Sequence, residues 1–165
     1  MPPMFLIRPA TPEDIPQVIQ LDFEAFSPYG TAESPEIIRA RQQVFPQGFI
    51  VAEKDGRIVG YGSAEKWSSM REPGLDENPY DTHDPNGPIF CITGMAVAEA
   101  HRGQGLGTAM TRYLLDVARA QACHTVTLET THVRAFYHRL GFETLAERQE
   151  RGVQLYIMEK QLEGV

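Results

Sequence analysis

The run His101-Arg102-Gly103-Gln104-Gly105-Leu106-Gly107-Thr108-Ala109-Met110 sets glycine at three alternate positions and then turns at once to helix-forming residues. Glycine adopts left-handed backbone without steric cost, so such a stretch makes a turn whose amides are free of side chains. Met110, Tyr113, Leu114, Val117 and Ala118 follow at helical spacing and predict an amphipathic helix from Gly105 to about Gln121. Exposed amides ahead of a helix converge with the positive end of its dipole, and together they bind anions. The alternative is that the glycines only shape a tight turn. Ile89 to Val97 supplies the strand that leads into them, interrupted by Gly94, which suggests a bulge or a close backbone approach. The dinucleotide fingerprint G-x-G-x-x-G and the Lys-Ser/Thr of a P-loop are both missing, so neither of those nucleotide folds is expected.

Local signals place the other elements. Phe5 to Ile7 reads as a first strand, and Thr11-Pro12-Glu13-Asp14 opens a helix to about Phe26. Its apolar face is Ile15, Val18, Ile19, Phe23 and Phe26, with Asp22 intruding. Ser34-Pro35-Glu36 opens a second helix through about Phe45, and Ser27 to Glu33 is the loop between them. Phe49 to Glu53 and Arg57 to Trp67 are strands joined by Asp55-Gly56, a strong hairpin signal. Ser68 to Pro88 carries four prolines and no sustained periodicity, the mark of a long functional or solvated loop. Thr125 to Thr130 is a strand, and Val133, Phe136, Tyr137 and Leu140 face one side of a short helix stopped at Gly141. Strands from Phe142 to Arg148 and Val153 to Lys160, turning near Gly152, close a mixed α/β sheet of about seven strands with one strand-helix-strand crossover in its middle.

A chain of 165 residues that is 42% hydrophobic closes one substantial core, so residues 1–165 are expected to form a single domain. With 22 acidic and 15 basic residues the formal charge is −7, which disfavours nucleic acid and anionic membranes as partners. No stretch approaches the roughly 18 apolar residues of a membrane span, and the N-terminus lacks the pattern of a secretory signal. A soluble, unprocessed, cytoplasmic protein is expected. Cys91 and Cys123 have no metal-type spacing and read as reduced, buried small hydrophobes. His83 among the acids of the long loop lacks ligand spacing too, so no metal is assigned.

Arg102-x-x-Gly105-x-Gly107, preceded by Met95-Ala96-Val97 and followed by Ala135-Phe136-Tyr137-His138-Arg139-Leu140-Gly141-Phe142, resembles the GCN5-related N-acetyltransferase (GNAT) superfamily. Arg8-Pro9-Ala10 to Asp14 is similar to that family's frequent N-terminal opening, and the element order matches throughout. The resemblance implies a mostly antiparallel seven-stranded sheet with about four helices, splayed between its fourth and fifth strands. It also implies that Arg102, Gly103, Gln104, Gly105, Leu106, Gly107 and Thr108 cradle the pyrophosphate of acetyl-CoA, chiefly through backbone amides. The pantetheine arm would enter the splay along Met95, Ala96 and Val97, pairing with backbone at Met95 and Val97. Two positions depart from the family pattern: Glu99 replaces a usual proline, and Thr130 stands where an asparagine is common, in a segment shorter than usual before Tyr137. Thr130 or Thr131 would then serve the cofactor contact.

Acyl transfer needs a neutral amine, whereas a lysine-like amine with a pKa of about 10.4 is almost wholly protonated at neutral pH. By resemblance Tyr137 is the general acid for the departing CoA thiolate, against its reading as a core tyrosine. Glu129 is by resemblance the base, against its reading as a solvated strand-end carboxylate, and ordered water or His132 are the other candidates. Glu72, Asp76, Glu77, Asp81 and Asp84 in the long loop make an acidic lid that would attract a cationic amine acceptor, or else a solvated insertion. The expected activity is acetyl transfer from acetyl-CoA to an amine by direct attack. A non-catalytic CoA-binding module and a transferase of a longer acyl group are the rival readings. The sequence leaves a homodimer open.

Overall fold

A computed structural model describes residues 4–163. Asp55 and Gly56 both take left-handed backbone, with φ of 52° and 77°, as a two-residue hairpin turn requires. They join β2 (Phe49–Lys54) to β3 (Arg57–Trp67) in antiparallel register. The sheet has seven strands in the order β1-β2-β3-β4-β5-β7-β6, where β1 is Leu6–Pro9, β4 Ile89–Val97, β5 Thr125–Thr130, β6 Glu143–Glu150 and β7 Val153–Gln161. Every neighbouring pair is antiparallel except β4 with β5. That parallel pair demands a crossover, and α4 (Leu106–Ala120) provides it.

Helices cover both faces of the sheet, and β2 shows this in its side chains. Ile50 and Ala52 join the core under α4, with Leu106, Met110, Leu114, Phe90, Val126 and Met158. Phe49 and Val51 turn to the opposite face and meet Ile15, Val18 and Leu21 of α1 (Ile15–Phe26) and Ile38 of α2 (Pro35–Val44). The period of two along a strand thus feeds two separate cores. α5 (Arg134–Arg139) packs on the α4 side through Phe136, Tyr137 and Leu140.

Three local expectations are corrected. Phe23 is 59% exposed, and Leu21 takes its place in the core. Asp22 is buried because it is satisfied: the Tyr61 hydroxyl donates to Oδ1, and the Glu33 N–H donates to Oδ2 at 2.9 Å. The first helical residues Pro12–Asp14 form a 3₁₀ turn ahead of α1, and the long loop contains a fifth, short helix, α3 (Pro79–Thr82), started by the Asn78 side chain accepting from Tyr80 N–H. Cys91 and Cys123 are buried free thiols, as expected. No helix among the described residues is long and apolar enough to cross a membrane.

Leu114 sits at the centre of the α4 core with no exposed surface. Leu114→Ala is expected to destabilise the protein by about 2–5 kcal/mol in denaturant unfolding. The same truncation at half-exposed Leu145 should stay within about 0.5 kcal/mol of wild type.

Candidate functional site

β4 and β5 run side by side only from Ile89 opposite Thr125 to Ile92 opposite Leu128. Beyond that, β5 stays with β7 while β4 stays with β3 as far as Val97 opposite Gly60. The β4 edge from Thr93 to Val97 therefore has no strand beside it, and its backbone faces a gap. An unpaired edge of this kind takes up an extended chain that carries amide groups. The register explains the divergence: Ser63 opposes Gly94 and Ala64 opposes Ile92, so Thr93 is the extra residue of a β-bulge. The Thr93 and Ser63 hydroxyls bond at 2.8 Å across it. A Cβ on Gly94 would lie 2.6 Å from the Tyr61 hydroxyl oxygen, so Gly94 is both beside the bulge and a close-approach glycine.

At the end of β4 the chain makes a 3₁₀ turn, Glu99–His101, and enters the glycine loop. Gly103 and Gly105 have φ of 78° and 80°, and no side chain caps the start of α4, so its first N–H groups are left for a ligand. Gly107 has a different task. It lies inside the helix, where a Cβ would come 3.4 Å from Phe136 Cζ, and its bareness lets α4 approach α5. Arg102 Nε donates to the Val97 carbonyl at 3.0 Å, which pins the loop to the strand end and engages one of the backbone groups expected to face the pantetheine arm.

A cleft opens from the gap, bordered by Thr93, Gly94, Met95, Leu128, Glu129, Thr130, His132 and Tyr137, among others. Tyr137 is 5% exposed and meets Phe136 and Phe142 edge-on, with ring centroids 4.9 and 5.5 Å away. It is thus a core ring that also borders the cleft. Burial pushes its phenol well above the ordinary value, so the proton stays in place at neutral pH.

Glu129 faces the cleft, but it is no solvated strand-end acid. Arg148 grips it in a fork, Nε to Oε2 at 2.5 Å and Nη2 to Oε1 at 2.7 Å, and also reaches Glu150 Oε1 at 2.5 Å. Burial raises the Glu129 pKa against the pull of that guanidinium. His132 stacks flat on Tyr29, centroids 3.8 Å apart, and its Nδ1 shares a 2.7 Å hydrogen bond with the Thr131 hydroxyl. Burial first, and the charge of Arg102 second, lower its pKa, so the imidazole is neutral at pH 7. Thr130 is buried, and its hydroxyl accepts from Val133 N–H at 3.4 Å at the start of α5.

The long loop covers the cleft in an ordered way. Pro73 to Glu77 borders it, held by Arg71 lying 4.1 Å over the Trp67 ring and bonding Glu77 at 2.9 Å. Leu75 N–H reaches Glu150 Oε1 at 3.1 Å, and Asp76 pairs with Arg151. Two acids of the expected lid, Asp76 and Glu77, are thereby neutralised locally, and of the acids that line the cleft only Asp22 lacks a basic partner within 4 Å. His83 Nδ1 accepts from Lys66 N–H at 3.0 Å. Among the described residues no group of three or more His, Cys, Asp or Glu is placed to hold a metal.

A free strand edge, a helix start behind two left-handed glycines and a cleft beside a buried tyrosine agree with a family comparison. The model of the acetyltransferase (GNAT) family matches residues 15–142. The chain belongs to the GNAT family. An uncharacterized N-acetyltransferase of Methanocaldococcus jannaschii is 31% identical over 148 residues, 83% of this chain and 77% of that protein. A mycothiol acetyltransferase of Parafrankia is 29% identical over 173 residues, 85% of this chain, and the chain spans only 52% of its length. Among solved structures, the loading GNATL domain of CurA from Lyngbya majuscula superposes with a TM-score of 0.86 at 15% identity, covering 96% of this chain and 98% of that one. Ard1 from Thermoplasma volcanium gives 0.78 at 22% identity, covering 96% and 97%. At such identities these two likenesses show the GNAT fold alone.

Sequence reasoning missed Arg148, Tyr29 and Arg41. Arg148 on β6 reaches across β7 to Glu129 on β5, an alignment of distant strands that no local signal carries. Arg148→Met would leave Glu129 buried beside the cleft without its cation, at a cost on the order of 3 kcal/mol at pH 7. The variant raises the folded-state pKa of Glu129 further above its unfolded value, so the deficit should shrink as pH falls toward that of a free carboxyl group. Chemical denaturation at pH 5 and pH 8 measures this, and Glu129→Gln combined with Arg148→Met should recover most of the loss.

Proposed function

We propose that the protein transfers an acetyl group from acetyl-CoA to an amine by direct attack, without a covalent enzyme intermediate. The observation that carries this reading is the unpaired β4 edge, Thr93 to Val97, running from the cleft to the uncapped start of α4. One ligand chemistry suits that path: an extended arm with amides, ending in a pyrophosphate. The amides from Gly103 to Thr108, with Gln104 and Leu106 contributing backbone only, would hold the pyrophosphate, and Arg102 keeps its two terminal nitrogens for it. Met95 would pair with the arm, while Ala96, buried on the α1 side, holds the strand in place. Acetyl-CoA supplies an activated thioester carbonyl at the cleft.

Attack by the amine lone pair forms the C–N bond, and collapse of the tetrahedral adduct breaks the C–S bond. Tyr137 would give its proton to the departing thiolate. A phenol kept protonated by burial suits that role, since it is not spent before the sulfur leaves. The amine proton would go to His132, whose imidazole is neutral and whose Nδ1 is oriented by Thr131. Glu129, with both oxygens engaged by Arg148, would act as fixed negative charge that favours the developing ammonium.

CoA and acetyl-CoA should raise the melting temperature while NAD and ATP leave it unchanged. CoA release from acetyl-CoA in an amine screen then separates an enzyme from a CoA-binding module. Tyr137→Phe keeps the ring packing, so it should retain cofactor affinity and lose kcat by roughly 10²- to 10⁴-fold. For the amine proton, His132→Gln should lower kcat/KM near neutral pH with recovery at higher pH, where more acceptor is already neutral. Glu129→Gln should act mainly through KM. A reversal of these two profiles assigns the base to Glu129.

A further inference from the structure

The part of the long loop that borders the cleft is braced from within. Arg71 lies over the Trp67 ring and donates to both Glu77 oxygens, at 3.1 and 2.9 Å, and the Gly74 N–H donates to Glu77 Oε1 at 2.8 Å. One carboxylate thus ties the two ends of residues 71–77 to the middle. Trp67 before the segment and Pro79 of α3 after it are both buried, so its ends are anchored in the body of the protein. Its tip is held differently. Among the described residues two polar contacts join the tip to the β6–β7 turn: Leu75 N–H donates to Glu150 Oε1 at 3.1 Å, and Asp76 pairs with Arg151. That ion pair is exposed, with side chains 41% and 54% accessible, so it holds weakly and salt screens it.

The backbone shows that this weak pair is not incidental. Asp76 and Arg151 both take left-handed conformations, with φ of 60° and 52°. Aspartate visits that region readily, but arginine does so at a cost. Arg151 and Gly152 are the two turn residues of the β6–β7 hairpin, since Glu150 is paired with Val153, and both have positive φ. Such a turn favours asparagine or aspartate ahead of the glycine. Arginine gains nothing there for the hairpin, and among the described residues Asp76 is the one acceptor its side chain meets. Backbone strain of this kind is retained where the residue has another task.

Beneath the tip lies the cleft. Pro73, Gly74, Leu75, Asp76 and Arg151 border the same space as Glu129 and Tyr137. The Glu150 oxygen that receives Leu75 N–H also accepts from Arg148 Nη1, and Arg148 in turn grips Glu129. A segment that keeps its own shape, is anchored at its ends and is seated at its tip by two contacts opens locally by breaking those two, without unfolding the sheet.

We infer that residues 71–77 are a flap that gates the acceptor end of the cleft: seated on Glu150 and Arg151 it closes that end, and released from them it admits a small molecule. The inference rests on the acyl-transfer reading for the identity of that molecule as the acceptor, whereas the gating is a property of the free protein. Arg151 serves the flap and not the turn.

Cys91 reports entry to the cleft. It borders the same space, is 5% exposed, and burial holds its thiol pKa well above the ordinary range, so its reaction waits on access. The uncharged reagent 4,4′-dithiodipyridine forms a mixed disulfide with it and releases 4-thiopyridone, and mass mapping locates the modified thiol. Labelling is measured beside amide exchange at Leu75, read by NMR, in the wild type, Arg151→Asn and Glu150→Ala. Arg151→Asn removes the ion pair and supplies a residue that suits the turn, so its melting temperature should equal or exceed that of the wild type. Both Leu75 exchange and Cys91 labelling should be about threefold faster or more in Arg151→Asn, the scale of a lost exposed pair, and faster still in Glu150→Ala. Raising NaCl to 1 M should speed both in the wild type and less so in Arg151→Asn. Where Glu150→Ala does not fold, Arg151→Asn and the wild-type salt response decide. Equal labelling in the wild type and Arg151→Asn means that the cleft end is not gated, and this overturns the inference even if Leu75 exchanges faster. A clear fall in the melting temperature of Arg151→Asn overturns it too, since the arginine then serves the hairpin. Neither measurement uses a cofactor, so failure of acetyl-CoA to bind would count against the acyl-transfer reading alone.

Discussion

Thr93 is one residue more than the facing strand accommodates, and the site follows from that surplus. The bulge it creates turns β4 away from β5 just past Ile92 and leaves backbone from Thr93 to Val97 without a partner. Unpaired strand edges are usually blunted or covered because they invite association. Here the open edge is set inside the sheet, where two neighbouring strands have parted, so only a slender extended chain can reach it. The Ser63–Thr93 hydroxyl pair and the bare Gly94 against Tyr61 hold the bend. Tyr61 in turn donates to Asp22 of α1, which couples the bend to the helix on the other face.

Electrostatics divides the cleft into two parts. Toward the glycine loop the groups are amides, Arg102 and a helix start, all suited to anions. Farther back, carboxylates outnumber cations, and most are held by specific partners: Glu129 by Arg148, Glu33 by Arg41, Glu77 by Arg71. Such pairs fix geometry more than they add stability, since desolvation offsets much of their attraction. A phosphate-bearing cofactor at one end and a separate basic acceptor at the other would match that gradient. The formal charge of −7 therefore says little about phosphate binding, which local backbone geometry governs.

Much of this was legible in the sequence because it is locally encoded. Asp55-Gly56, the helix start at Ser34-Pro35 and the glycine run each specify backbone within a few residues, and all three appear where expected. Gly94 was visible as the mark of a bulge or a close backbone approach, and the structure shows both, with the extra residue one position earlier at Thr93. What escaped was pairing between distant segments. Arg148 meets Glu129 across the whole width of β7, and the stacking of His132 on Tyr29 joins a loop after β5 to one after α1. Phe23 misled because helical spacing gives a face only to within a residue, and the buried face of α1 includes Leu21 and a hydrogen-bonded Asp22 instead.

The account stands on the β4 edge acting as the docking strand for an extended cofactor arm. Amide hydrogen exchange measured residue by residue, with and without acetyl-CoA, reads this directly. The account predicts new protection in two separate places, along Thr93 to Val97 and across Gly103 to Thr108, with β6 unaffected. Protection of the glycine loop alone would show an anion site without a docked arm, and would contradict the reading of the splayed strands as the cofactor's seat.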